Sequence, residues 1–266
     1  MSKQNWNAND YSEQSSAQFK WANEMIKKMN IPRNATLLDI GCGNGKITAL
    51  LSRKCPEGHV IGIDDSQDMI KKSESSFNTR EYPNLSFQTI DAQQLPFNNE
   101  FDLVFSNSTL HWVKDHTPVL KGIYNALKPN GKGYLKFGGK GTLDAFQPML
   151  DVMLSSNKWR RYFKNFKSSW WFYDDKTYAI WLIESGLTPI TVQLMPSNMV
   201  HDNTSKLEGW IRTTWHPYLQ WLSETNKNDF VAELVSRYLE KYPVNSHGQT
   251  CVKMTRLEIE VKKAKR

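Results

Sequence analysis

The sequence predicts an α/β fold: one largely parallel sheet covered by helices, with helical, aromatic-rich insertions closing over one end. Three observations predict it. From residue 36, short apolar runs alternate with longer segments of helical period. The first of those runs ends in a glycine-rich turn. The alternation then breaks twice, at 140–174 and 196–250, into stretches rich in tryptophan. Apolar runs separated by helical segments make parallel strands, because a parallel pair needs a long crossover whereas a hairpin does not.

Thr36–Ile40 reads as a buried strand, and the helix after its turn carries Ile47, Leu50 and Leu51 on one face. Val60–Asp64 is the second strand, and Ser66 is placed to cap a helix holding Met69 and Ile70. Leu85–Ile90 and Phe101–Ser106 are the third and fourth strands. Val119, Leu120, Ile123 and Leu127 mark a helix that should close at the stop signal Lys128-Pro129-Asn130-Gly131, with Gly133–Phe137 as the fifth strand. A mostly helical segment 140–174, a helix at about Lys176–Ser185, a strand at Thr188–Leu194 and a final alternating strand at Val252–Val261 complete the reading. The two insertions flank the sixth strand and are expected at the C-terminal edge of the sheet, where open α/β sheets bind ligands.

Composition excludes several classes. Cys42, Cys55 and Cys251 are far apart, odd in number and without metal-ligand spacing, so neither a disulfide framework nor a metal site is expected. The polar start MSKQNWNANDYSEQ carries no export signal, and no run is long enough to span a membrane, which predicts a cytoplasmic protein. Four of the charges behind the net +7 lie at Lys262, Lys263, Lys265 and Arg266, a solvated tail rather than a phosphate track.

The chemistry-bearing run is Leu37-Leu38-Asp39-Ile40-Gly41-Cys42-Gly43-Asn44-Gly45. Gly41, Gly43 and Gly45 let the backbone turn sharply and approach a ligand that a Cβ would block. A dinucleotide loop needs a sixth-position glycine, and Lys46 stands there; the pyrophosphate it would hold is also repelled by Asp39. A carboxylate at that point suits a ligand carrying ammonium and sulfonium charge, which selects S-adenosyl-L-methionine over a nicotinamide. Asp64, with Asp65 beside it, ends the second strand nineteen residues after Gly45, where a ribose hydroxyl needs an acceptor. Asp91 follows the third strand and can accept from an adenine amino group, with Met69 and Ala92 on the ring faces. Each piece alone is ordinary, since glycine turns close many helices and strand-end acids often only cap. Three in register at successive strand ends are not.

The stretch from about 36 to 139 resembles the class I S-adenosylmethionine-dependent methyltransferases. The resemblance implies a Rossmann-like sheet of seven strands with the last one antiparallel. It also implies Asp39 and the glycine loop at the methionine end, Asp64 on the ribose, and Asp91 with Ala92 on the adenine. On this reading 1–35 is a helical segment covering the active site, 36–139 the cofactor-binding core, 140–174 and 196–250 lid insertions, 175–195 a core helix and strand, and 251–266 the last strand and basic tail.

The fourth strand ends Val104-Phe105-Ser106-Asn107-Ser108-Thr109-Leu110-His111-Trp112-Val113, aimed where the activated methyl would lie. It lacks the Pro-Pro motif of amide and adenine methylation, and no Cys-Pro nucleophile lies in it. Asn107–Val113 and Tyr11-Ser-Glu-Gln-Ser-Ser-Ala-Gln18 are similar to the trans-aconitate, malonyl-carrier-protein and juvenile hormone acid carboxyl methyltransferases. That likeness implies a carboxylate, on a small-molecule acid or an acyl carrier, held by Gln18 and Trp112, with Tyr11, Asn107 and His111 close by. A carboxylate is ionised at neutral pH and needs no base; for a hydroxyl acceptor, His111 is the candidate catalytic base. In the insertions, Trp210, Trp215 and Trp221 either pack helices or line an apolar pocket, and Arg160, Arg161 or Arg212 could meet a second acidic group. Aromatics interleaved with basic residues also resemble a nucleic-acid platform, but no stretch is long enough for a recognition module, so RNA is not the expected partner. A catalytically silent cofactor-binding subunit is the alternative of a different class. The chain is expected to be a monomer or weak dimer.

Overall fold

The computed structural model describes residues 16–265. Among them, seven strands form one sheet: β1 (Thr36–Ile40), β2 (His59–Asp64), β3 (Leu85–Thr89), β4 (Phe101–Asn107), β5 (Leu127–Gly138), β6 (Leu187–His201) and β7 (Thr250–Lys263). Their spatial order is β3-β2-β1-β4-β5-β7-β6, with β1–β5 parallel and β7 antiparallel to both its neighbours. The expected Rossmann-like sheet with an antiparallel last strand is therefore present. The order reverses between β1 and β4, which opens a crevice at the carboxyl ends of those strands.

The helices are α1 (Ser16–Lys28), α2 (Lys46–Lys54), α3 (Gln67–Ser76), α4 (Thr117–Ala126), α5 (Gln147–Ser155), α6 (Asp175–Glu184), α7 (Thr204–Thr214), α8 (His216–Leu219) and α9 (Glu224–Lys241). Both faces of the sheet are covered, which is why β1 is apolar at successive positions. Leu38 and Ile40 pack with Val104, Leu120 and Ile123, while Leu37 packs on the opposite face with Ala49, Leu51 and Leu103. Ser66 caps α3 as expected, its Oγ accepting from the Met69 N–H; such caps contribute about 1 kcal/mol.

Three expectations are corrected. Leu127 does not end α4; it is fully buried, begins β5 and pairs with Phe101. The next register point is Leu103 with Lys132, so Lys128–Gly131 is looped out within the strand, with Asn130 at φ 67°. The sixth strand does not stop at Leu194 but continues to His201, paired with β7 throughout. Pro196 reads as a terminator in sequence, yet β6 is an edge strand, where a missing N–H costs no ladder bond. The segment 140–174 holds one helix, α5, and otherwise runs in turns.

Beyond the sheet, α5, α7, α8 and α9 close on Trp21 of α1 and on Met199 and Val252 at the extended ends of β6 and β7. Trp159 and Trp215 are each 1% exposed. Phe146 stacks on Tyr238 at 4.5 Å and meets Trp215 edge-on at 4.8 Å. The α1 helix is also tied to the sheet by charge: Glu258 takes Lys28 at 2.6 Å and Lys136 at 3.2 Å.

Candidate active site

The glycine loop is built by hydrogen bonds to the second strand. The Gly41 and Cys42 N–H groups both donate to the Ile63 carbonyl, and the Gly43 N–H donates to Asp64 Oδ2 at 3.0 Å. Gly41 has φ 74°, and a Cβ there would lie 2.1 Å from the Thr109 side chain, whose Oγ1 donates to the Gly41 carbonyl. The loop is thus clamped from both sides of the switch point. Gly45, named with the cofactor residues, borders neither of the two cavities at this site. It starts α2 in the left-handed region at φ 79°, and a Cβ there would lie 2.8 Å from Phe87, so its part is conformational.

A cavity of about 960 Å³ opens at the strand ends. Gly41, Gly43, Asp64, Asp65, Met69, Asp91 and Ala92 border it on the β1–β3 side, and Gln18, His111 and Trp112 border it on the β4 side. That volume is at the top of the range for ligand pockets, room for a nucleoside cofactor and a small acceptor together. A narrower cavity lies beside the loop, bordered by Asp39, Gly41, Gly43, Asn44, Gln18 and Asn107. The predicted residues therefore divide: Asp39 and Asn107 face the narrow cavity, the other acids the large one. Tyr11 lies outside the described residues.

Buried polar atoms without a partner show what the narrow cavity can take. Gln18 Oε1, Asn107 Oδ1 and Asn44 Nδ2 are all shut off from solvent and unsatisfied. Two acceptors and a donor beside an acid suit the ammonium and carboxylate of a methionine moiety, so the residues present fit S-adenosyl-L-methionine.

The acids are poised for a cation. Burial pushes Asp39 up to about 7, opposed by the Thr48 Oγ1 hydrogen bond and reinforced by the Asp64 charge. Burial likewise pushes Asp64 up to about 6, against the hydrogen bonds it accepts from the Ser66 and Gly43 N–H groups. Asp91 accepts from the Gln93 N–H at 2.8 Å and caps the turn Ala92–Gln94, which fixes its carboxylate at the rim.

At the other end a short turn, Leu110–Trp112, presents His111 and Trp112. A histidine the sequence reading passed over, His116, holds that turn. Its Nε2 bonds the Leu110 and Val113 carbonyls, and its Nδ1 bonds Tyr178 Oη at 2.8 Å. Burial keeps His116 at about 4, so it stays neutral. His111 stacks on Phe172 at 5.9 Å, its Nδ1 without a partner. Burial, and then the charge of Arg256, hold its pKa well below the usual histidine range.

Sequence reasoning missed Arg256 and Ser169, which border the large cavity together with Trp170, one of the aromatics of the first insertion. Arg256 is 2% exposed, lies over Trp21 at 4.2 Å, and donates from Nη2 to Ser108 Oγ at 2.7 Å. One signal was available: in β7 it shares the parity of Val252 and Met254, which face the lid. The arginines named from sequence are elsewhere. Arg160 and Arg161 are exposed, Arg212 pairs with Glu208 at 3.5 Å, and none borders the cavity. Trp210 and Trp215 do border it while also packing in the lid core, whereas Trp221 is 49% exposed.

Comparison with known proteins accords with this geometry. Residues 31–158 match a methyltransferase domain model. The chain is 28% identical over 260 residues to the uncharacterized methyltransferase C70.08c of Schizosaccharomyces pombe, covering 95% of each. It is 25% identical over 255 residues to a trans-aconitate 2-methyltransferase of Enterobacter, covering 95% of this chain and 96% of that one. Among solved structures, the YcgJ protein of Bacillus subtilis shares the fold with a TM-score of 0.63 at 19% identity, over 93% of this chain and all of that one. A phosphoethanolamine N-methyltransferase of Haemonchus contortus, solved with S-adenosylhomocysteine, gives 0.62 at 18% identity, over 97% of this chain and 57% of that one. Among the described residues, no helix is long and apolar enough to cross a membrane. With this sheet order, this domain and these relatives, the chain is a methyltransferase of the class I fold that uses S-adenosyl-L-methionine.

Proposed function

We propose that this enzyme methylates a carboxylate oxygen of a small organic acid. The observation that carries the reading is the division of charge in one cavity. Asp64, Asp65 and Asp91 border its cofactor side, whereas the acceptor side offers neutral hydrogen-bonding groups, Gln18, Trp112, Ser169 and Trp170, and a single buried guanidinium. An anion is favoured at that second end and a cation at the first.

The Gly41–Gly45 loop, Asp39 and Asn107 hold the methionine end, Asp64 and Asp65 the ribose, and Asp91, Ala92 and Met69 the base. When bound, the cofactor supplies an electrophilic methyl group. The acceptor oxygen takes it with no proton to remove, so alignment and exclusion of water are what remain for the chain to do, and orientation alone can lower a barrier by about 7–11 kcal/mol. Neutral donors from Trp112 and Gln18 orient the anion without quenching its nucleophilicity. His111 agrees with this: half-buried, with its Nδ1 shut off from solvent and its pKa depressed, it is a weak base for an alcohol. The trans-aconitate relative acts on an acid by name, which supports the same class. Cys42, Cys55 and Cys251 are free, in keeping with a reducing compartment such as the cytoplasm, and the enzyme is proposed to act as a monomer or weak dimer on a free small molecule.

Turnover of methyl-labelled cofactor with matched acids, alcohols and amines tests the reading. A base-labile methyl ester from an acid is the expected product. Label transferred only to a hydroxyl, an amine or RNA would replace the reading, and cofactor binding without any transfer would make the chain a binding subunit.

A further inference from the structure

We infer that Arg256 reads a second anionic group on the acceptor, so that the acids this enzyme prefers carry at least two acidic groups. This rests on the carboxylate reading above and specifies which carboxylates fit. Arg256 stands on β7, almost wholly out of water, yet borders the large cavity. Its guanidinium is held in one plane by Trp21 beneath it and by hydrogen bonds from Nη2 to Ser108 Oγ and, at 3.3 Å, to the Lys136 carbonyl. A fixed planar fork of this kind, bordering the cavity, suits a carboxylate.

An independent observation points the same way. Trp170 Nε1 and Ser169 Oγ border the same cavity, are closed to solvent and have no hydrogen-bond partner. The Trp170 ring lies 5.7 Å from Trp112, on the acceptor side. Buried polar atoms are ordinarily satisfied, and an indole N–H can only donate, so these atoms await an acceptor.

The group at Arg256 is not the one that reacts. A carboxylate loses its charge as it takes the methyl, so a guanidinium clamped on it would hold the ground state more tightly than the transition state and slow the step. A second anion keeps its charge throughout, and its pairing with Arg256 serves binding and alignment. Arg256 is therefore a substrate-binding residue whose loss should appear in KM rather than in kcat.

The test uses the full chain, dicarboxylic acids of four to six carbons, and their monoamides, which keep shape and one carboxylate but lose one charge. KM and kcat are measured with saturating cofactor for the wild type, Arg256→Gln and Arg256→Lys. Binding of the same compounds to protein saturated with S-adenosylhomocysteine is followed by calorimetry. The wild type should prefer each diacid over its monoamide by about 100-fold in KM, Arg256→Gln should erase that preference with kcat changed less than about threefold, and Arg256→Lys should keep part of it. Equal KM for the pair in the wild type, or a loss in Arg256→Gln that falls alike on diacid and monoamide, overturns the inference while leaving carboxylate methylation intact. Should Arg256→Gln not fold, the wild-type pair and Arg256→Lys decide. Should no acid be methylated, the proposed function fails by itself. Tighter binding of diacids than monoamides, lost in the arginine variants, would then still support the anion site, and its absence would refute it.

Discussion

The cofactor side and the lid are built in opposite ways. On the cofactor side each functional group comes from a few consecutive residues at a strand end: Gly41–Gly45 after β1, Asp64 and Asp65 after β2, Asp91 and Ala92 after β3. Hydrogen bonds to the neighbouring strand lock those residues, so the motif and the geometry are nearly the same object. The lid has no such motif. Its parts, α1, α5, α7, α8, α9 and the extended ends of β6 and β7, are held together by one largely aromatic cluster. Local turn chemistry positions the first region, and long-range packing positions the second. A substitution should therefore damage the cofactor side through affinity and the lid through stability.

The largest expected effect tests the lid. Phe230 is fully buried against Trp159, Phe163 and Tyr218 and borders neither cavity. Phe230→Ala should cost about 3–5 kcal/mol, lowering the melting midpoint by about 10 °C in a chain of this size, while cofactor affinity stays within about threefold. Calorimetric melting and cofactor titration measure the two separately. A large loss of affinity without a loss of stability would break the division.

Asp64→Asn is the converse case. It removes the charge and keeps one acceptor oxygen, so of the Gly43 N–H on Oδ2 and the Ser66 N–H on Oδ1 only one stays bonded. Cofactor should bind about 30- to 100-fold more weakly, the worth of a charged hydrogen bond at about 2–3 kcal/mol, while the free protein loses less stability than Phe230→Ala does.

Acidity sharpens the same point. Asp64 at about 6 and Asp39 at about 7 hold protons in the free protein that a cationic ligand must displace. A raised carboxyl pKa means the ionised, binding form grows as pH rises, so cofactor affinity should climb by up to about a hundredfold per pH unit below pH 6, where two protons must leave, by up to about tenfold between 6 and 7, where one must, and then level off. A flat affinity between pH 5 and 7.5 would show that these carboxyls do not meet the cofactor's charge.

On the acceptor side, Trp112→Phe keeps the ring and removes the indole N–H. About a tenfold fall in kcat is expected at unchanged cofactor affinity, the worth of one hydrogen bond to an anion. The smallest effect should be that of His111→Gln, within about threefold in kcat on an acid. A loss of a hundredfold or more would mean that the imidazole moves a proton, and that the acceptor is not a carboxylate.

How far these regions could be read in advance follows from the same contrast. Strand and helix positions on the cofactor side were legible because burial on both faces leaves continuous apolar runs, and because glycine at positive φ leaves its own mark. Boundaries failed where pairing overrode local signals, as when Leu127 entered β5 and when β6 ran through Pro196. Arg256 escaped notice because nothing local distinguishes it from a surface arginine, and Trp170 could be read only as one lid aromatic among several. Only the docking of α1 on β7 and the closure of 168–172 bring them to the cavity.

The sequence by itself determined the sheet, the glycine loop, the acids at three strand tips and the cofactor they imply, since turn conformation and strand-end register are short-range properties. The tertiary structure decided which arginine enters the cavity, that His116 holds the turn presenting Trp112, and which tryptophans line the pocket rather than face solvent. Those facts depend on contacts between separate elements, from His116 with Tyr178 to Arg256 with Trp21, and side-chain burial across such separations has no periodicity for a sequence to display.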